Sequence, residues 1–176
     1  MIRLALLLVV LISGCAPTFQ VAPPEQQVAS ATRIRDLRPS EETDGKLLPY
    51  GREISADMLG DRSFKPDRLS LLEHRLLQRF GSISSAEVRN FSVVLLLPRT
   101  TPLNQIIFPN MPASVKGITD FSTTWVIVEA RGNINTKAFD ISHAEPFPRQ
   151  AFGRQDEVVQ KALAAAIEKV ISAVEK

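Results

Sequence analysis

The sequence predicts an α+β fold in two layers, an antiparallel or mixed sheet of about four to five strands with two helices on one face. Three observations carry this. Leu69, Leu72, Leu76 and Phe80 recur at helical spacing, and Val159, Leu163, Ala166, Ile167, Val170 and Val174 form a second such stripe. Glu87 to Leu97 alternates with period two, with Phe91, Val93, Leu95 and Leu97 on one side. Phe121 to Ile134 and Ala138 to Phe147 then read as two arms of an antiparallel hairpin turning near Asn135-Thr136-Lys137. Helices with one apolar stripe and strands with one apolar face bury both by packing together.

The chain opens with Arg3, an almost unbroken apolar run from Leu4 to Ile12, and Ile12-Ser13-Gly14-Cys15, which ends on the only cysteine. A run this short falls below the ~20 residues that cross a bilayer as a stable helix, so it reads as a signal core. Ile12, Ser13, Gly14 and Cys15 fill the four places of the lipobox, and the segment resembles the precursors of bacterial lipoproteins. The resemblance implies cleavage before Cys15, a diacylglyceryl thioether on its sulfur and an amide-linked acyl chain such as palmitate on its nitrogen. More than one acyl chain gives stable anchoring. In the same group an aspartate after the cysteine retains the protein in the inner membrane, so Ala16 implies the outer membrane, on its periplasmic face. The expected organisation is a cleaved signal peptide over 1–14, a lipidated N-terminus and flexible tether over 15–27, and a single periplasmic domain over 28–176. Pro17, Pro23 and Pro24 make the tether extended.

Val28 to Leu37 is the first candidate strand, with Arg33 and Arg35 sharing one face. Two aligned arginines can grip a phosphate or carboxylate; a charge-protected edge strand is the favoured alternative. Pro39 ends the strand after Asp36-Leu37-Arg38, because it lacks an amide donor and restricts the residue before it. Ser40 to Lys46 reads as an acidic loop with an Asp44-Gly45 turn, and Glu53 to Leu59 as a second short strand. The first helix follows. Pro66 suits its first turn, Asp67 complements the positive end of the dipole, and Gly81 supplies the stop. His74 lies off the apolar stripe and reads as a solvated histidine rather than a base.

Val94 and Leu96 make the second half of the 87–97 strand apolar on both faces, as in a central strand covered on both sides. Pro98 terminates it. The connection from Arg99 to Asp120 is long for a compact domain and carries Ile106, Ile107, Phe108 and Met111 among prolines. Such residues either tuck back onto the domain or await a partner. Packing is favoured, yet this loop is the best candidate partner-binding element in the chain. In the hairpin, Val126, Val128, Ala130 and Ile134 mark the buried face, with Glu129, Arg131 and Asn133 outward and Trp125 and Ile127 on that outer side. His143 shares the apolar face of the second arm with Phe139, Ile141 and Phe147. No second histidine or cysteine stands ready to complete a familiar metal set with it, so a structural histidine is favoured over a ligand or base. The closing helix starts near Arg154. Ala162, Ala164, Ala165 and Ala166 permit close approach to the sheet, with a dimerisation surface as the alternative use of that face.

With 21 Lys+Arg against 19 Asp+Glu, and Arg3 in the signal, the mature domain is near neutral and nothing calls for nucleic acid. The lipobox, the Asp36-Leu37-Arg38-Pro39 strand end, the Leu-rich helix, the strands and the closing helix together are similar to small periplasmic lipoproteins of the YajG type. That resemblance implies location and fold more than activity. A second resemblance, through the hairpin and long helix from Val126 to Val174, is to the auxiliary lipoproteins of ABC-type lipid transporters. Nucleophile elbow, phosphate-binding glycine loop and His-Glu-x-x-His helix are missing from the sequence. The expectation is a non-enzymatic, lipid-anchored binding or assembly module without cofactor or metal, meeting an envelope protein partner. Envelope lipid transport is the alternative, and a hydrolase built on His143 is the weakest reading.

Overall fold

A computed structural model of the chain describes residues 19–20, 34–49, 54–98, 124–147 and 155–176. In chain order the elements are β1 (Phe19–Gln20), β2 (Arg35–Asp36), α1 (Ser40–Asp44), β3 (Lys46–Pro49), β4 (Ile54–Met58), a 3-10 turn (Asp61–Ser63), β5 (Phe64–Lys65), α2 (Arg68–Phe80), β6 (Ala86–Pro98), β7 (Thr124–Ile134), β8 (Lys137–Phe147) and α3 (Gln155–Glu175). The α+β expectation is met. A six-stranded mixed sheet runs β3-β4-β6-β7-β8, with β2 paired to β6 in parallel; the separate pair β1–β5 is also parallel.

Strand β6 is the axis of this sheet, and its apolar sequence explains why. One face, with Val88, Phe91 and Val93, meets Val126, Val128 and Ala130 of β7 and Phe139 of β8 in the main core. Leu69, Leu72 and Leu76 of α2 close that core together with Val159, Leu163, Ala166, Ile167, Val170 and Val174 of α3. Both expected helical stripes are therefore buried on one face of the sheet, apart from Phe80, which ends its stripe 37% exposed. Ala162 and Ala166 are buried in the contact, whereas Ala164 faces outward.

The opposite face is also buried over its β6 C-terminal half, at Val94, Leu96 and Ile127. Ile127 lies on the outer side of β7 opposite Val94, where the expected second covered face of β6 is found. Glu129 is half-buried there and accepts a hydrogen bond from Ser142 Oγ (3.4 Å), while burial pushes its carboxyl above the usual range.

A β-bulge at Arg89 solves a phasing problem within β6. Strict alternation back from Phe91 would send Arg89 and Glu87 into the core. The register instead pairs Val88 with Gly132 and Asn90 with Arg131, so one residue drops out and Ala86 and Val88 turn inward. Gly132 makes this approach possible, because a Cβ there would lie 2.1 Å from the Glu87 carbonyl oxygen.

Several expectations need correction. Ser40–Asp44 is a short helix rather than a loop, with Glu42 buried, because tertiary contacts hold it where local propensity does not. Lys46–Pro49 forms a strand antiparallel to β4 that the sequence did not suggest. Pro66 precedes the helix instead of opening it: Asp67 is the N-cap and accepts hydrogen bonds from Ser70 N (3.0 Å) and Ser70 Oγ (2.6 Å). Within the segment expected to be tether, Phe19 is 1% exposed and belongs to the main core. Its aromatic ring supplies apolar area that an extended polar tether would leave in water.

Candidate functional site

Two strands share one edge of β6, and neither covers it all. Near its start β2 pairs in parallel, Leu37 N donating to Val88 O (2.8 Å). Towards its end β4 pairs antiparallel, and Leu59 N donates to Val93 O (2.8 Å). Between them the Phe91 amide and carbonyl face side chains instead of a strand. Glu42 accepts from Phe91 N and from Asn90 Nδ2 (3.0 Å), while Arg68 Nη1 donates to Phe91 O (2.6 Å) and its Nη2 to Glu42 O (2.9 Å). A carboxylate and a guanidinium thus do the work of one missing strand residue, as a buried backbone requires.

The network extends outward through three more charges. Arg68 Nε donates to Asp61 Oδ1 (2.9 Å), and Arg38 donates to Asp61 through Nη1 (3.1 Å) and Nη2 (2.7 Å). Arg38 also grips Asp36 through Nε and Nη2 (each 2.9 Å), and Asp36 Oδ1 accepts from Arg38 N (3.0 Å). Both arginine side chains are essentially inaccessible, at 1% for Arg38 and 0% for Arg68. The Arg68 guanidinium lies 5.2 Å from the centre of the Phe64 ring, which in turn tilts against Phe19 at 5.9 Å.

Burial and pairing compete here group by group. Hydrogen bonds from Arg38 hold the Asp36 carboxyl below its usual value. Burial disfavours the Arg38 cation, but hydrogen bonds to Asp36 and Asp61 outweigh it and raise its pKa. Burial raises Glu42 and lowers Arg68, each partly offset by hydrogen bonds or charges of its neighbours. Every one of these groups is engaged with another or with the backbone.

The sequence signalled part of this cluster. Asp36 and Arg38 stand in the tetrapeptide at the strand end. Arg68 could have been found as a cation in the first turn of a helix, where the dipole disfavours it unless an acid lies near. Glu42 and Asp61 carried no periodic signal, since their partners are distant in sequence. Of the two aligned arginines, Arg35 is exposed and pairs with Glu87 (3.2 Å), as a solvated strand would; Arg33 lies outside the described residues.

His143 occupies the seam between β8 and α3. Its Nε2 sits 3.4 Å from Glu145 Oε2 without hydrogen-bond geometry, and Glu145 also pairs with Lys161 of α3. Lys169 of the same helix donates to Ser142 O (3.2 Å). Burial, reinforced by Lys169, pulls the His143 pKa below the ordinary histidine value. His74 is half-buried on α2, away from this seam. Among the described residues, no group of three or more His, Cys, Asp or Glu is placed to hold a metal ion. No helix among them is long and apolar enough to cross a membrane.

Known families, curated proteins and solved structures offer no match to this chain. Ile12, Ser13, Gly14 and Cys15 lie outside the described residues, as do Ile106, Ile107, Phe108 and Met111. One concavity is described at the far end of the domain: a hollow of about 400 Å³ lined by Phe80, Ile134, Asn135, Thr136, Lys137, Val174 and Glu175.

Proposed function

We propose that this protein is a lipid-anchored lipoprotein of the cell envelope, a non-catalytic binding or assembly module held on the periplasmic face of the outer membrane. The observation that carries the reading is the run from Arg3 through Leu4–Ile12 to Ile12-Ser13-Gly14-Cys15, with Ala16 after the cysteine. The engagement of Asp36, Arg38, Glu42, Asp61 and Arg68 with one another and with backbone supports a scaffold rather than a catalyst. Ile106, Ile107, Phe108 and Met111 are the proposed contacts for an envelope protein partner. Cys15→Ser should abolish labelling by radioactive palmitate and release the protein from the membrane fraction; continued labelling of the mutant overturns the anchor. Ala16→Asp should move the protein to the inner-membrane fraction of a density gradient.

Envelope lipid transport is the second reading, and the hollow beside Phe80 is the place to test it. In it the exposed Phe80 stands with Asn135, Thr136, Lys137 and Glu175, while Ile134 and Val174 are largely buried. A photoactivatable phospholipid should label this end of the domain, and Phe80→Asp should abolish that labelling. Labelling indifferent to Phe80→Asp removes this reading.

A further inference from the structure

We propose that the β1–β5 side of the domain faces the membrane and that the domain rests against the lipid surface instead of riding on a long tether. The inference rests on the lipid-anchor reading and adds an orientation to it. Three residues, Ala16, Pro17 and Thr18, separate Cys15 from Phe19. Whatever path they take, their reach is bounded: Cys15 and Phe19 stand at most about 14 Å apart.

The far end of that short span is fixed in the core. Phe19 is 1% exposed, pairs through β1 with Phe64 of β5, and lies against α3. Phe64 in turn carries the Arg68 guanidinium that holds the Phe91 carbonyl of the central strand. Pulling Phe19 out to lengthen the tether would uncover an aromatic core residue and the Phe64 ring behind it, so the anchor point stays where β1 puts it. Residues 61–67 border this side. Asp61 and Asp67 there are engaged with Arg38, Arg68 and Ser70, while Arg62 and Lys65 are exposed cations. Their sign suits a surface containing anionic headgroups.

The test uses full-length acylated protein in vesicles of phosphatidylethanolamine and phosphatidylglycerol containing a nickel-chelating lipid. Lipidation consumes the native thiol, so an introduced cysteine takes a nitroxide alone. Arg62→Cys reports from beside β5. Asp140→Cys reports from the sheet face opposite the Phe19 core, towards the hairpin tip. Relaxation by the nickel lipid should be several-fold stronger at position 62 than at 140. Inserting about twenty Gly and Ser residues between Pro17 and Thr18 should remove the difference, because such a linker is a flexible coil of far greater reach. Equal relaxation at the two positions without the insertion, or an unchanged signal at 62 with it, overturns the proposal. Mass spectrometry of the N-terminal peptide separates the two ideas. Missing acyl groups overturn the anchor and the orientation together, whereas an acylated protein with equal relaxation overturns the orientation alone.

Discussion

Glu42 and Arg68 show how much one residue can carry when it replaces backbone. Removing the Glu42 carboxyl leaves the Phe91 amide buried without an acceptor and takes a counter-charge from beside Arg38. Glu42→Ala should therefore cost roughly 2–4 kcal/mol in chemical denaturation. Glu42→Gln should cost less, about 1–2 kcal/mol, because the glutamine Oε1 still accepts from Phe91 N while its amide nitrogen cannot accept the bond from Asn90 Nδ2. Gly132 tests a different physics. Its missing Cβ is what lets β7 approach the bulged β6, and Gly132→Ala should lower stability by about 2–4 kcal/mol because the obstructing atom is backbone. His143 sets a pH dependence whose direction is fixed. Its folded pKa is lowered from 6.5, so the unfolded chain binds the proton more readily. The corresponding stability is present above about pH 6.5 and is lost as the pH falls through that value towards the lower folded pKa. Thermal melts of His143→Gln across pH 7 to 5 should show a shallower slope than the parent; an identical slope would refute the assignment.

At the scale of elements, the parts with their own periodicity were legible and the parts held by distant partners were not. α2, α3, β6 and the β7–β8 hairpin could be read because apolar spacing reports a buried face directly. β3 and α1 could not. One is four residues long, and the other is a five-residue helix in which a buried glutamate finds its partner on a strand 49 residues away. The bulge at Arg89 was likewise hidden, since period two counts residues and cannot see which one is skipped. β1 is the sharpest case: a polar, proline-bearing stretch with one aromatic residue reads as linker until a partner strand and a helix appear to receive that ring. Phe19→Ala should cost about 3 kcal/mol or more by denaturant titration. A flexible tether would register no change, and a value near zero would return the segment to that description.

For the molecule as a whole, two helices on one face of a mixed sheet came from patterning alone, while the candidate sites divided. The proposed lipidation motif, Ile12 to Cys15, rests on sequence alone, since such a motif is short and contiguous and lies outside the described residues. The buried charge cluster was half visible, through Asp36 and Arg38, since the rest depends on how β2 and β4 divide one edge of β6. A single core joins α2, α3, β1 and the sheet, so unfolding followed by circular dichroism and by Trp125 fluorescence should give coincident transitions. Two separated midpoints would mean that the N-terminal strands form a unit of their own.

The contact of β1 with α3 has a consequence for how the protein is made. The first and last described elements of the chain are neighbours, so the most distant pairing in sequence is among those that close the core. Loop-closure entropy makes such a contact late to form. An exported chain emerging N-terminus first would have its amino end delivered long before α3 arrives to cover Phe19. On the proposed lipid-anchor reading, enzymes acting at Cys15 would meet that end before α3 covers Phe19. If Cys15 is processed as proposed, topology orders the two events: the β1–α3 contact, distant in sequence, closes after α3 is available.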